Sequence, residues 1–180
     1  MDFLELARSR RSIRAYNGRK ISREDLNLCV EAARHAPSAC NSQPWKFIIA
    51  DDPDTRSKIA DNVFSGAYQM NAFAREAAAF IVIVAEKMKL PAWVGNKLRR
   101  TDFRKIDIGI ACEHLALQAQ ELGIGTCILG WFNEKKLKKI LFVPRTRRIE
   151  LVVSMGYPGE RELREKPMKD KNEVIGYNKY

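Results

Sequence analysis

Ala36-Pro37-Ser38-Ala39-Cys40-Asn41-Ser42-Gln43-Pro44-Trp45 stands between a run of helical spacing and the apolar run Trp45-Lys46-Phe47-Ile48-Ile49-Ala50. Each proline lacks a backbone N–H, so the pair is expected to stop the helix and hold the loop extended. Between them lie the hydroxyls of Ser38 and Ser42, the thiol of Cys40 and the amides of Asn41 and Gln43. Side chains of this kind bond their own backbone in a surface turn. Set against an aromatic residue and a buried strand, they can also present donors and acceptors to a flat polar ring.

Upstream, Asp2 to Ser9 has helical spacing, and Arg8, Arg10, Arg11 and Arg14 then gather around Ser12. Guanidinium forks with a hydroxyl can clasp a phosphate, and the same run also reads as a solvated charged face. Downstream, Leu122-Gly123-Ile124-Gly125-Thr126-Cys127-Ile128-Leu129-Gly130-Trp131-Phe132 reads as a helix stop at Gly123, a short strand, and a point at Gly130 where backbone can approach a ligand closely. No helix opens directly on these glycines, so they are not a dinucleotide-binding fingerprint.

Arg10-Arg11-Ser12-Ile13-Arg14, Ala-Pro-Ser-x-x-Asn-x-Gln-Pro-Trp over residues 36–45 and Leu-Gly-Ile-Gly-Thr-Cys over 122–127 occur in this order. Together they resemble the nitroreductase family of FMN-dependent oxidoreductases, over nearly the whole chain. The resemblance implies an α+β, three-layer fold: a central, mostly antiparallel sheet flanked by helices, in an intertwined homodimer with two flavins at the interface. It implies that Arg10, Arg11, Ser12 and Arg14 grip the FMN phosphate and ribityl chain. Pro37, Ser38 and Asn41 would belong to the same site, and Asn71 would reach the polar edge of the flavin. Backbone at Leu129, Gly130 and Trp131 would face flavin N5, and Arg164 and Lys166, before Pro167, would return to the phosphate. Family members often carry a basic residue a few positions after the amide. Ala74 stands there, with Arg75 beside it. Where a small residue often follows Gly130, this chain has Trp131, so substrate range does not carry over.

The remaining elements follow from spacing and punctuation. Ser22-Arg23-Glu24-Asp25 caps a helix, and His35 at its end serves the helix dipole better than a catalytic role. Residues 45–50 form a strand, Pro53 opens a helix to about Val63, and residues 67–76 continue as helix. Phe80 to Val84 is a β-branched run expected to be buried on both faces. Lys105 to Leu122 is a long helix, apolar nearly all round, which a chain of this size would cover with a second copy. Asn133 to Leu141 is a capped basic helix, and Arg148 to Met155 a strand. Residues 87–103 form a variable segment or lid, and residues 159–180 a tail, disordered or draped on the partner. One domain over residues 1–180 is expected.

With 180 residues, 46% of them hydrophobic, the chain can bury a real core. It carries 32 basic against 22 acidic side chains, a net charge of +10 that favours anionic partners. Four cysteines without a CxxC pair predict no disulfide framework and no metal site. The first residues have no signal-peptide character, and no apolar run could cross a bilayer, so a reducing, cytoplasmic setting and no membrane partner are expected.

No triad, carboxylate pair or metal constellation offers chemistry of its own. That fits a bound cofactor for which the protein supplies binding, orientation and electrostatics. The resemblance implies a ping-pong reaction: NAD(P)H reduces the flavin and leaves, then a nitroaromatic, quinone or enone takes the electrons. Two alternatives stay open. One is a specialised relative that dehalogenates, desaturates or fragments flavin without using NAD(P)H directly. The other is a basic nucleic-acid-binding module around Lys135–Lys139 and Arg145–Arg148, which no recognised motif supports.

Overall fold

The strand with the strongest β-branched run is the middle of the molecule. In the computed structural model, which describes residues 2–160 and 166–180, β2 (Ala79–Ala85) is buried along its whole length. It pairs antiparallel with β1 (Trp45–Ala50) on one side, Phe47 opposite Ile83. On the other side it pairs with β4 (Arg148–Gly156), Val82 opposite Val152, with a bulge between Ile83 and Val84. β3 (Gly125–Leu129) pairs with β4, Cys127 opposite Ser154. The order is β1-β2-β4-β3, antiparallel throughout.

Side-chain alternation along β2 defines the layers. Ile81 and Ile83 face a cluster with Leu26, Cys29, Ile108 and Leu115. These come from α2 (Arg23–Arg34) and α5 (Phe103–Glu121), which pack on each other. Phe80, Val82 and Val84 face the opposite cluster, with Ile59, Val63 and Leu137, from α3 (Pro53–Val63) and α6 (Glu134–Ile140). The result is helices, sheet, helices: the expected α+β, three-layer arrangement. Each fully buried Leu, Ile or Phe contributes about 1.5–3 kcal/mol, so β2, serving both layers, is the chief source of cohesion.

The punctuation acts as read from the sequence. The Ser22 side chain accepts from Asp25 N–H, Asp52 from Thr55 N–H before Pro53, and Asn133 from Lys136 N–H. Gly123 ends α5 at φ +72°, where a side chain would be strained. His35 caps α2, with Nε2 3.1 Å from Glu31 Oε1.

Two expectations are corrected. Residues 66–76 are not a continued α-helix but a 3₁₀ stretch, Gly66–Glu76, interrupted at Asn71 (φ −103°, ψ 18°). The Asn71 amide bonds outside the segment, which fixes the kink. The proline-flanked loop is not extended either. It curls into a 3₁₀ turn, Ala39–Asn41, with Cys40, Asn41 and Gln43 at φ 53°, 49° and 48°. The prolines constrain only themselves and the residue before each, and local side-chain bonds decide the rest. Residues 87–103 hold a helix, α4 (Leu90–Arg99), and the beginning of α5.

α1 (Phe3–Ser9) is closed by a capping box from Asp2 and Glu5. The C-terminal end holds α7 (Lys171–Val174), and every residue from 166 to 180 is exposed. Among the described residues no helix is long and apolar enough to cross a membrane.

Candidate functional site

The arginine-rich segment is fastened to the edge of the sheet. Ser12 forms a parallel bridge with Thr126, and Ile13 N–H donates to Thr126 O at 2.9 Å. Gly125 makes this approach possible: a Cβ there would stand 2.6 Å from Ile13 Cγ1. Gly156 plays the same part for Tyr16, whose ring would meet a Cβ at 2.6 Å. The Tyr16 hydroxyl lies 2.8 Å from Ser154 Oγ and reaches Ile13 O at 3.1 Å. Burial pushes its pKa well up, so it stays a neutral strut. Residues 12–16 thus run beside β3, the strand that leads to Gly130.

Three guanidinium groups leave this segment in different directions. Arg10, largely buried, pairs with Glu113 of α5 at 3.2 Å. Arg11 Nη1 donates to Arg8 O and, at 3.1 Å, to Arg10 O, so it braces its own loop. Arg14 is exposed, lies over the Phe73 ring at 5.9 Å and, among the described residues, bonds only Ser12 O, at 3.4 Å. Its charge is the one most available to an anion.

The strand end is held by the 3₁₀ stretch. Asn71 Nδ2 donates to Trp131 O at 2.7 Å, and Trp131 Nε1 donates to Ala67 O at 3.0 Å. The Trp131 ring lies 5.4 Å from Tyr68 and is about half exposed. Leu129 is buried, whereas a Cβ added to Gly130 would meet nothing. Arg14, Ser12, Asn71, Leu129, Gly130 and Trp131 are therefore brought together at one edge of the sheet.

The proline-flanked turn is built on a different base. Ser38 Oγ accepts from Gln43 N–H at 3.0 Å, Asn41 Oδ1 accepts from Gln43 Nε2 at 2.8 Å, and Asn41 N–H donates to Ser38 O at 2.9 Å. Ala39 N–H donates to both carboxylate oxygens of Asp107, at 3.1 and 3.2 Å. Asp107 is buried on α5, and that burial raises its pKa against the opposing Ala39 bond. The Ser38 hydroxyl proton and the two Asn41 amide protons are left for other acceptors.

Within one chain these two groups stand apart. Arg10 reaches α5 at Glu113 and Ala39 reaches it at Asp107. Six residues of helix are about 9 Å along the axis and about a third of a turn around it. Pro37, Ser38 and Asn41 belong to the turn, and Ser12, Arg14, Asn71, Leu129, Gly130 and Trp131 to the sheet edge. Lys166 is exposed on the tail, and Arg164 lies outside the described residues. Among those described, no three His, Cys, Asp or Glu side chains gather as metal ligands. All four thiols are free, and burial raises those of Cys29 and Cys112 to about 12.

The nitroreductase family profile matches residues 7–72 and 67–157. The chain belongs to this family. Among its relatives, a protein of Archaeoglobus fulgidus with the provisional name NADH dehydrogenase/NAD(P)H nitroreductase is 34% identical over 167 residues, covering 88% of this chain and 87% of that one. Iodotyrosine deiodinase of Thermotoga neapolitana is 24% identical, covering 95% and 94%. A solved FMN-dependent nitroreductase of Clostridium difficile superposes with a TM-score of 0.76 at 27% identity, covering 99% and 100%.

Two contributors to the candidate site of this nitroreductase-family chain were not anticipated from its sequence. Asp107 shares the 107, 111, 115 face of α5 with Ala111 and Leu115. A lone acid on an otherwise apolar face was the available signal. Gly125 lies inside a motif already singled out, but its reason is the distant Ile13, which no local pattern reveals.

Proposed function

We propose that this nitroreductase-family chain is an FMN-dependent oxidoreductase that takes electrons from NAD(P)H and reduces an electrophilic small molecule, acting as a homodimer. The observation that carries the reading is the sheet-edge cluster, in which the exposed Ser12 and Arg14, the buried Asn71 and the open backbone at Gly130 share one rim. Those groups suit FMN: a cation and a hydroxyl for its phosphate, and backbone and amide donors for a polar ring. Bound there, FMN would supply the acceptance and release of a hydride equivalent that no side chain of the chain provides. Arg14 and Ser12 hold the anionic end, and Asn71 fixes the backbone turn at Trp131 that shapes the rim. The Trp131 ring narrows the approach. For a nitro acceptor the balance is one NAD(P)H and one proton consumed, with nitroso product, NAD(P)⁺ and water released.

The turn at 37–43 is the second half of the site, supplied by the other copy, because its unspent Ser38 and Asn41 protons lie around α5 from the rim of their own chain. Exposed Phe3, Leu4, Leu98 and Ile106 offer apolar surface for the pairing. Four unpaired thiols suit a reducing compartment.

A second reading, an FMN enzyme that dehalogenates an aromatic substrate, is favoured by the similarity to iodotyrosine deiodinase. The absorption spectrum of the purified protein, before and after anaerobic NADPH, tests the first reading. Flavin bands that bleach with NADPH and return with a nitroaromatic or quinone are expected. A colourless protein that takes up no FMN overturns both readings. Bands that NADPH leaves unchanged favour the second.

A further inference from the structure

A cleft of about 600 Å³ lies beside the proline-flanked turn, outside the residues assigned above. Its walls include Lys87, Met88, Trp93, Arg100, Asp102 and Arg104. Asp102 is the one carboxylate among its described lining residues and is committed: Arg104 Nε and Nη2 donate to its two oxygens at 3.2 and 3.3 Å. Lys87 and Arg100 have no carboxylate partner among the described residues. Two uncompensated cations thus share a cleft with an indole and a thioether.

The backbone at Arg100 sharpens the point. It follows the last residue of α4 with φ 53°, a conformation that glycine adopts without strain and arginine does not. A bulky cation is thus held there at a backbone cost. The cleft is also tied to the turn. Lys89 N–H donates to Ser42 Oγ at 3.3 Å, Glu86 N–H donates to Pro44 O at 3.0 Å, and α4 packs on the turn. An occupant would therefore lie on the α4 side of the proline-flanked turn. The volume is that of a small-molecule site, not a groove for a polymer.

We propose that this cleft binds the anionic group of a planar aromatic co-substrate, with Arg100 and Lys87 pairing the charge and Trp93 and Met88 flanking the ring. The proposal rests on the flavin reading for its place in turnover, and its binding chemistry is tested separately. The anion is either an acidic substituent on the electron acceptor or a phosphate of the nicotinamide donor, and both use the same two cations.

The experiment is calorimetric titration of the purified full-length dimer with 4-nitrobenzoate and with 4-nitrobenzamide, which match in size and differ in charge. The wild type is expected to prefer the acid by about tenfold at low salt, and less as salt rises. Arg100→Gln is expected to abolish most of that preference, and Lys87→Gln to reduce it. Both residues are exposed, and a circular dichroism spectrum matching wild type shows that each variant is folded. Displacement of the acid by NADPH but not by NADH assigns the charge site to the donor's extra phosphate. Retention of the acid against both assigns it to the acceptor. Either result supports the cleft. Equal affinity for acid and amide in the wild type overturns it, as does a preference that survives both substitutions. A colourless protein that still prefers the acid would sink the flavin reading and leave the cleft standing.

Discussion

Gly130 carries no side chain, and a methyl group there would touch no atom of the described residues. Gly130→Ala is therefore expected to leave the unfolding midpoint of the FMN-free protein unchanged while weakening FMN by about tenfold, since only a ligand lying on that backbone would meet the new methyl. Fluorescence titration with FMN checks it, and unchanged affinity would remove Gly130 from the site. Arg14→Ala is expected to cost about 1.5–3 kcal/mol of FMN binding, the range for a charged hydrogen bond. Asp107 makes a different prediction. Asp107→Ala leaves the Ala39 N–H without its acceptor and is expected to cost about 1–3 kcal/mol in urea unfolding. Because burial raises the Asp107 pKa, the folded state binds the proton more tightly than the unfolded chain. Its contribution is complete below the ordinary carboxylate range and is lost as pH rises through the raised value. Relative to Asp107→Asn, the wild type should therefore gain stability on acidification across that window.

At the scale of elements, the segment Arg10–Arg14 owes its position to a strand it meets only through Gly125. Gly125→Ala drives a methyl into Ile13, whose nearest atoms are its own branched carbons and cannot swing aside. The expected result is a loss of about 1–3 kcal/mol of stability together with weakened FMN retention. A destabilised protein that still held FMN at wild-type strength would show that the segment does not form the phosphate end of the site. These elements also mark what the sequence could and could not reveal. β2, α5 and the caps at Ser22, Asp52 and Asn133 were legible because periodicity and local hydrogen bonding determine them. The conformation of 37–43 was not, since three left-handed residues within four positions depend on Ser38, Asn41 and Gln43 bonding one another and on a buried carboxylate 68 positions away. The kink at Asn71 likewise depends on Trp131, far along the chain.

For the molecule as a whole, the three family motifs were readable as motifs but not as a geometry. Two of them meet, through Ser12 and Thr126, while the third sits around α5 from both. On the proposed reading, a site using all three is completed when a second copy brings its turn to the first copy's sheet edge, as two-fold symmetry would do twice over. The most direct test of this claim mixes two damaged proteins, one carrying Arg14→Ala and the other Asn41→Ala, each with weakened FMN binding. They are unfolded together and refolded. Random pairing makes about half the dimers mixed, each with one site free of both substitutions, so about a quarter of all sites should regain wild-type FMN affinity. No recovery, despite mixed dimers seen by native mass spectrometry, would mean that each chain builds its site alone.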